Sequence, residues 1–209
     1  MTTLDFFYNP EDIEAGIDEA GRGCLVGRVY AAAVIWPKNI EDDVDLSIIK
    51  DSKKLSKKKR TQAIELIDKY ALAYNVAWVD EKTIDEINIL QATYCAMHKA
   101  LDGLSIEPEH IIIDGPHFKP YINKEVDFVP HKCIKKGDNK YISIAAASIL
   151  AKEYRDNYIV ELFNSDPKFK PYEWDNNKSY GTKAHLAAIQ KYGITKYHRK
   201  SFGICKKFS

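Results

Sequence analysis

Apolar residues along the chain fall in short continuous runs and in helically spaced sets, and each pattern predicts an element. Ala15-Gly16-Ile17 reads as a short strand ending in Asp18-Glu19, and Arg28 to Trp36 as a buried strand. Ser56 to Tyr70 predicts a helix with Ser56 as N-cap, and Ile64, Ile67 and Leu72 fall near helical spacing. Leu72 to Val79 suits a third strand, and Ile87 to Leu101 a second helix stopped near Gly103. The β-branched run Ile111-Ile112-Ile113 halts at Asp114-Gly115-Pro116, which is a buried strand entering a turn. Val126 to Ile134 predicts a fifth strand, with Pro130 placing it at an edge or bulge. A long helix runs from about Lys140 to Phe163, with the stripe Ile142, Ala146, Ile149, Leu150, Tyr154, Tyr158, Leu162. Its small block Ala145-Ala146-Ala147-Ser148 allows close approach to a sheet. A last helical segment starts at the N-cap Thr182 and ends near Gly193. Strands in a meander, then strands alternating with helices, predict an α/β domain with a mixed sheet.

Composition narrows the class without naming a chemistry. The chain has 209 residues, 45% hydrophobic and 29% charged, as in ordinary globular domains. No apolar run approaches the ~18 residues that span a bilayer. Met1 to Ala15 lacks the basic and apolar regions of a signal peptide, so the expected location is cytoplasmic. Cys24, Cys95, Cys133 and Cys205 form no CxxC pair and read as reduced thiols. Net charge is +1, but it is unevenly spread. Residues 1–21 carry only acidic charges, Lys50 to Arg60 is dense in lysine, and Lys178 to Ser209 has no Asp or Glu. That asymmetry predicts a basic rim around an acidic centre; solvated surface lysine is the bland alternative.

The acidic centre has a geometric basis. Strands that stop at Asp18 and at Asp114 put carboxylates at their carboxyl ends, where α/β sheets form sites. If the strands are neighbours, the two charges repel, and a cation relieves them. Hard oxygen donors without His or Cys select Mg²⁺ or Mn²⁺. Asp before Gly also simply starts turns. Asp18 and Glu19 alternate faces in a regular strand, so their sharing of an ion needs a bend there or a contribution from the Glu19 backbone carbonyl. Asp138, after Lys136-Gly137, suits an N-cap as well as a ligand. Asp51, Asp80, Asp85 and Asp156 sit in comparable settings and read as decoys.

Several segments carry a family resemblance. Gly16-Ile17-Asp18-Glu19-Ala20-Gly21-Arg22-Gly23 is similar to the signature of ribonuclease HII, the type 2 ribonuclease H family. So are Asp51-Ser52-Lys53-Lys54-Leu55-Ser56, Ile113-Asp114-Gly115, Lys136-Gly137-Asp138 and Ala146-Ala147-Ser148-Ile149-Leu150-Ala151-Lys152. Tyr180-Gly181-Thr182 and His198-Arg199-Lys200-Ser201-Phe202-Gly203 complete the series in the family's order.

The resemblance implies a ribonuclease H-like fold, a five-stranded mixed sheet flanked by helices with a small C-terminal helical region. It implies a single domain over 1–209, with a catalytic core over about 1–165 and a substrate-binding region over about 166–209. It implies an acidic quartet, Asp18, Glu19, Asp114 and Asp138, holding two Mg²⁺ or Mn²⁺ ions. The implied reaction is hydrolysis 5′ to ribonucleotides, in RNA-DNA hybrids or at single ribonucleotides in duplex DNA. It leaves 3′-hydroxyl and 5′-phosphate ends and serves ribonucleotide removal and primer degradation. Gly21, Arg22 and Gly23 are the implied ribonucleotide readers, because absent Cβ atoms let the backbone reach the 2′-hydroxyl. Tyr180 is implied to pack on the adjoining sugar. Ser52, Lys53 and Lys54 suit phosphate contacts, as do Lys57-Lys58-Lys59-Arg60. Lys196, Arg199, Lys200, Lys206 and Lys207 suit flanking duplex. A monomer without membrane attachment is expected. Cys24, Arg28 and Ser179 depart from the family pattern, in which proline, proline and glycine are frequent. Alternatives are a same-fold nuclease restricted to long hybrids or DNA junctions, and a non-catalytic nucleic-acid binder.

Overall fold

Strands β1 (Glu14–Ala20) and β2 (Val29–Ile35) are apolar on both faces, and that requires a cover on each side. A computed structural model describes residues 4–39, 44–50 and 55–208. In chain order, helix α1 (Lys57–Tyr70), strand β3 (Ala73–Val79), helix α2 (Glu81–Asp102) and strand β4 (His110–Asp114) follow. Next come the short strands β5 (Tyr121–Ile122), β6 (Phe128–Val129) and β7 (His131–Ile134). Helices α3 (Ile142–Asn164), α4 (Trp174–Asn177) and α5 (Lys183–Tyr192) end the series.

The main sheet has five strands in the order β3-β2-β1-β4-β7, and β5 pairs with β6 in a separate ribbon. The first three strands form an antiparallel meander; β4 then joins β1, and β7 joins β4, in parallel. The α/β class and the five-stranded mixed sheet are therefore as expected. Alternation along β2 divides the core. Ala31, Ala33 and Ile35 meet Ala92, Ala96 and Met97 of α2, whereas Ala32 and Val34 meet α1 and the Ala145–Ala147 block of α3. The approach of α3 is so close that a Cβ on Gly16 would lie 2.4 Å from Ser143 Oγ and 2.5 Å from Ile144 N. A third cluster joins Ile159, Leu162 and Phe163 of α3 to Phe169, Trp174 and Ile189, and reaches Leu25 and Val26 after β1.

Local chemistry explains most boundaries. Ser56 and Thr182 cap α1 and α5, accepting from the N–H groups of Lys59 and His185, each at 3.3 Å. β1 does not stop at Asp18, because Asp18, Glu19 and Ala20 still pair with Ala32, Ala31 and Tyr30. Leu72 lies beyond α1 and is 53% exposed. The second helix begins earlier than its periodicity suggests, capped by Asp80 at 2.8 Å. It breaks at Asn88 (φ 67°), whose Oδ1 accepts from the N–H of Leu90 and Gln91 and restarts it. Pro130 splits the expected fifth strand into β6 and β7, and β7 takes the sheet edge. On α3 the stripe is too narrow a description. Its first half is enclosed by sheet and α1, while Tyr154 points out, 44% exposed. No helix among the described residues is long and apolar enough to cross a membrane.

Candidate active site

The parallel register of β1 and β4 pairs Ile17 with Ile113, so the next residues, Asp18 within β1 and Asp114 at the end of β4, stand side by side. Both border a cavity of about 460 Å³ with Glu19, Gly21, Arg22, Gly23 and Tyr180. Ser148, Lys152, Arg155 and Asp156 of α3 close its other side. Asp18 is buried, and its Oδ1 accepts from the N–H of Glu19 at 2.7 Å. Burial holds its carboxyl well above the ordinary value, and the Glu19 charge adds to this; the Ser148 hydroxyl partly offsets it, while Asp114 raises it further. Asp18, Glu19 and Asp114 offer only oxygen donors, and their repulsion is the field a hard divalent cation relieves.

Asp138 stands differently. Asp114 Oδ1 accepts from the N–H of Gly137 at 2.7 Å, which ties β4 to the turn carrying Asp138. The buried Asp138 carboxylate accepts from Asn139 Nδ2 at 2.8 Å and is not among the residues bordering the cavity. Among the described residues, no group of three or more His, Cys, Asp or Glu side chains is gathered to hold a metal ion. The structure thus brings Asp18, Glu19 and Asp114 to one cavity and leaves Asp138 just outside it.

The Gly-Arg-Gly turn sits beside the carboxylates. Gly21 has φ 94°, which glycine accepts readily. Arg22 pairs with Glu19 at 3.2 Å and remains 48% exposed on its side chain. A Cβ on Gly23 would lie 3.6 Å from the Tyr180 ring, so the turn faces Tyr180 directly.

The basic positions divide. Ser52, Lys53 and Lys54 lie outside the described residues. Lys57, Lys58, Lys59 and Lys200 are exposed. Arg60 is withdrawn into an ion pair with Glu153 at 2.8 Å. Arg199 corrects the expectation of a phosphate contact. It is fully buried and donates to the carbonyls of Gly27 at 2.8 Å and of Arg22 and Arg28, each at 3.0 Å. Burial lowers its pKa to about 10, which leaves it a cation at neutral pH. Loop carbonyls satisfy the buried guanidinium, so Arg199 braces the turn from behind. Asp80 and Asp85 prove structural, Asp80 as a cap and Asp85 as acceptor for the N–H groups of Lys200 and Ser201, each at 2.8 Å. Asp156, read as a decoy, borders the cavity with Lys152 and Ser148. Their spacing of four along α3 puts all three on one helix face, a signal that the sequence carries.

Behind Tyr180 lie two buried imidazoles. His198 Nδ1 accepts from the Thr195 N–H at 2.9 Å, so its Nε2–H donates to His185 Nε2 at 3.3 Å. His185 Nε2 also accepts from Trp174 Nε1 at 3.1 Å, and its Nδ1–H donates to the Tyr180 carbonyl at 2.9 Å. Burial lowers both, and the proximity of His185 pushes His198 further, to about 3. A depressed histidine contributes stability that is complete above its unfolded value, about 6.5, and is lost as pH falls toward the folded one. Denaturant midpoints should therefore drop from pH 7 to pH 4, and drop less in His198→Gln; parallel profiles would count against the neutral pair.

Comparisons with known proteins place this arrangement. The chain is 53% identical over 196 residues to a ribonuclease HII of Christiangramia forsetii, covering 94% of this chain and 93% of that protein. It is 50% identical over 198 residues to one from Bacteroides thetaiotaomicron, covering 95% and 93%. Among solved structures, ribonuclease H2 of Pyrococcus horikoshii superposes with TM-score 0.72 at 26% identity, covering 93% of this chain and 96% of that one. The Archaeoglobus fulgidus RNase HII, solved in complex with PCNA, gives TM-score 0.72 at 26% identity, covering 92% and 96%. The family model described as Ribonuclease HII matches residues 15–205, and with the paired carboxylates and the Gly-Arg-Gly turn in one cavity, the chain belongs to the ribonuclease HII family of hydrolytic endoribonucleases.

Proposed function

We propose that this nuclease hydrolyses the phosphodiester 5′ to ribonucleotides, in RNA-DNA hybrids and at single ribonucleotides within duplex DNA. The observation that supports this most is the placing of Asp18 and Asp114 in one cavity with the Gly-Arg-Gly turn and Tyr180. A carboxylate pair suits metal-assisted phosphate chemistry, and a Cβ-free turn beside it suits a 2′-hydroxyl.

Asp18, Glu19, Asp114 and Asp138 would hold two Mg²⁺ or Mn²⁺ ions in this reading. When bound, such ions supply an activated water and neutralise charge on the leaving oxygen, which departs as a 3′-hydroxyl and leaves a 5′-phosphate. The chain's own contribution is position. Ser148 and the Glu19 N–H orient Asp18, and the Gly137 N–H orients Asp114. Backbone groups of Gly21 and Gly23 offer a donor and an acceptor to the 2′-hydroxyl, and Arg22 reaches a phosphate. Tyr180 packs on the next sugar. Ser52, Lys53, Lys54 and Lys200 hold the flanking backbone. Arg199 serves the site indirectly, through the carbonyls of the turn. A cytoplasmic monomer that removes stray ribonucleotides and primers fits this chemistry.

Cleavage mapping on a duplex with one ribonucleotide tests the reading. A single cut on its 5′ side with Mg²⁺ or Mn²⁺, and none with chelator, is expected. An intact duplex beside a cut hybrid would favour the long-hybrid alternative. Binding should weaken steeply with salt, because phosphate contacts release counterions. A flat dependence would remove the basic rim.

A further inference from the structure

We infer that Arg155 is a positioning residue for selectivity, its buried guanidinium holding Tyr180 at a set angle to the Gly-Arg-Gly turn. This rests on the reading above that the turn and Tyr180 meet the sugars on either side of the junction.

Arg155 lies on α3, is 1% exposed, and borders the cavity. Its charge is matched by Asp156, Nη1 to Oδ1 at 2.7 Å. The two N–H groups of Nη2 are shared among Ser179 Oγ at 2.9 Å, the Lys178 carbonyl and Cys24 Sγ. Its stem and Nε lie 3.5 Å from where a Cβ on Gly21 would stand, and its guanidinium carbon lies 5.3 Å from the Tyr180 ring centroid. One side chain therefore touches the turn, the residue after it, and the segment leading into Tyr180.

That segment needs holding. Lys178 (φ 49°) and Ser179 (φ 59°) both adopt the left-handed conformation that residues with side chains rarely take. Their backbone leads into Tyr180, which pairs with Cys24, while the Leu25 N–H donates to the Ser179 carbonyl at 2.9 Å. Arg155 fastens the strained pair from below through the Lys178 carbonyl and the Ser179 hydroxyl. Its Nε is buried with no hydrogen-bond partner among the described residues, so the Nη contacts dictate its orientation. Two of the three departures from the family pattern, Cys24 and Ser179, meet at this one guanidinium. This chain thus sets its tyrosine through a polar contact between side chains of its own. A planar fork reaches Asp156 through Nη1 while Nη2 meets the Cys24, Lys178 and Ser179 acceptors, and a single lysine ammonium does not span both sides.

The consequence is selective. A long hybrid presents ribose on both sides of the scissile bond, whereas a single ribonucleotide presents a junction to DNA. Loosening Tyr180 should hurt the junction more. Arg155→Lys, Ser179→Ala and Cys24→Ala are assayed for kcat and KM on a single-ribonucleotide duplex and on a long hybrid. The ratio of kcat/KM between the two substrates should fall by about tenfold to a hundredfold for Arg155→Lys, as expected of a misplaced contact, and in the same direction for Ser179→Ala. In a Tyr180→Ala background, Arg155→Lys should leave the ratio where Tyr180→Ala alone puts it, because both changes act through one ring. Equal losses on both substrates, or independent effects in the double variant, would overturn the inference. Should Arg155→Lys fail to fold, Ser179→Ala and Cys24→Ala carry the test, and an unchanged ratio in both is equally fatal. A wild-type protein that spares the single-ribonucleotide duplex sinks the substrate reading and this inference with it. A wild type that cuts the duplex while the variants keep its ratio sinks the inference alone.

Discussion

Asp18→Asn is expected to lose cleavage almost completely and yet to melt at a higher temperature than the wild type in chelator. The two effects share one cause. Asp18 is buried beside Glu19 and Asp114, so its anion is disfavoured in the folded protein and its pKa is raised. A carboxyl raised in this way contributes stability where both states are protonated, below about pH 3.9. That contribution is lost as pH rises through the folded pKa, which makes the anion a burden to the metal-free fold at neutral pH. Asparagine removes the charge while its Oδ1 still accepts the Glu19 N–H. A cation at the site depends on that same charge, and losing several kcal/mol of transition-state stabilisation slows the reaction about a thousandfold or more. Single-turnover cleavage with Mg²⁺ and calorimetry at neutral pH with chelator measure the two halves. Residual activity near wild type would remove Asp18 from the chemistry. A lower melting temperature would mean that its charge is already compensated without an ion.

Gly16→Ala should be the most damaging small substitution away from the carboxylates. Its new methyl would fall 2.5 Å from backbone atoms of Ser143 and Ile144, at the start of α3. Backbone in a buried helix does not step aside as a flexible side chain does, so the helix or the central strand must shift. Overpacking of this kind costs about 3 kcal/mol. Activity should fall too, because α3 presents Ser148, Lys152 and Arg155 to the cavity. The urea midpoint should drop with the slope unchanged, which identifies a loss of stability rather than a change in the unfolded state. A midpoint equal to wild type would show slack between β1 and α3 that the contact distances deny.

Much of this is legible in the amino-acid sequence. The apolar run from Arg28 to Trp36, the β-branched run before Asp114, and the caps Ser56 and Thr182 are local properties, settled by side-chain shape and by hydrogen bonds within a turn. They predicted the meander, the helices and two carboxylates at strand ends. The resemblance points to Asp18, Glu19, Asp114 and Asp138, of which the first three share a cavity and Asp138 does not border it. The same local logic misjudged Arg199. An arginine among lysines near the chain end looks solvated, yet its three carbonyl partners lie more than 170 residues earlier in the chain. It also overlooked Arg155, whose partners Cys24 and Ser179 come from opposite ends of the chain.

Residue pattern alone is sufficient for the longer elements and their order, because periodicity and capping act over a few residues; the short strand β5, the helix α4 and the break at Pro130 are not legible in it. The lateral neighbours of β1, the burial of Arg199, the meeting of Cys24 with Ser179 and the position of Asp138 beside the cavity followed only from the folded chain. Those features depend on which distant surfaces are pressed together, and the desolvation of a charge has no value until that packing defines what surrounds it.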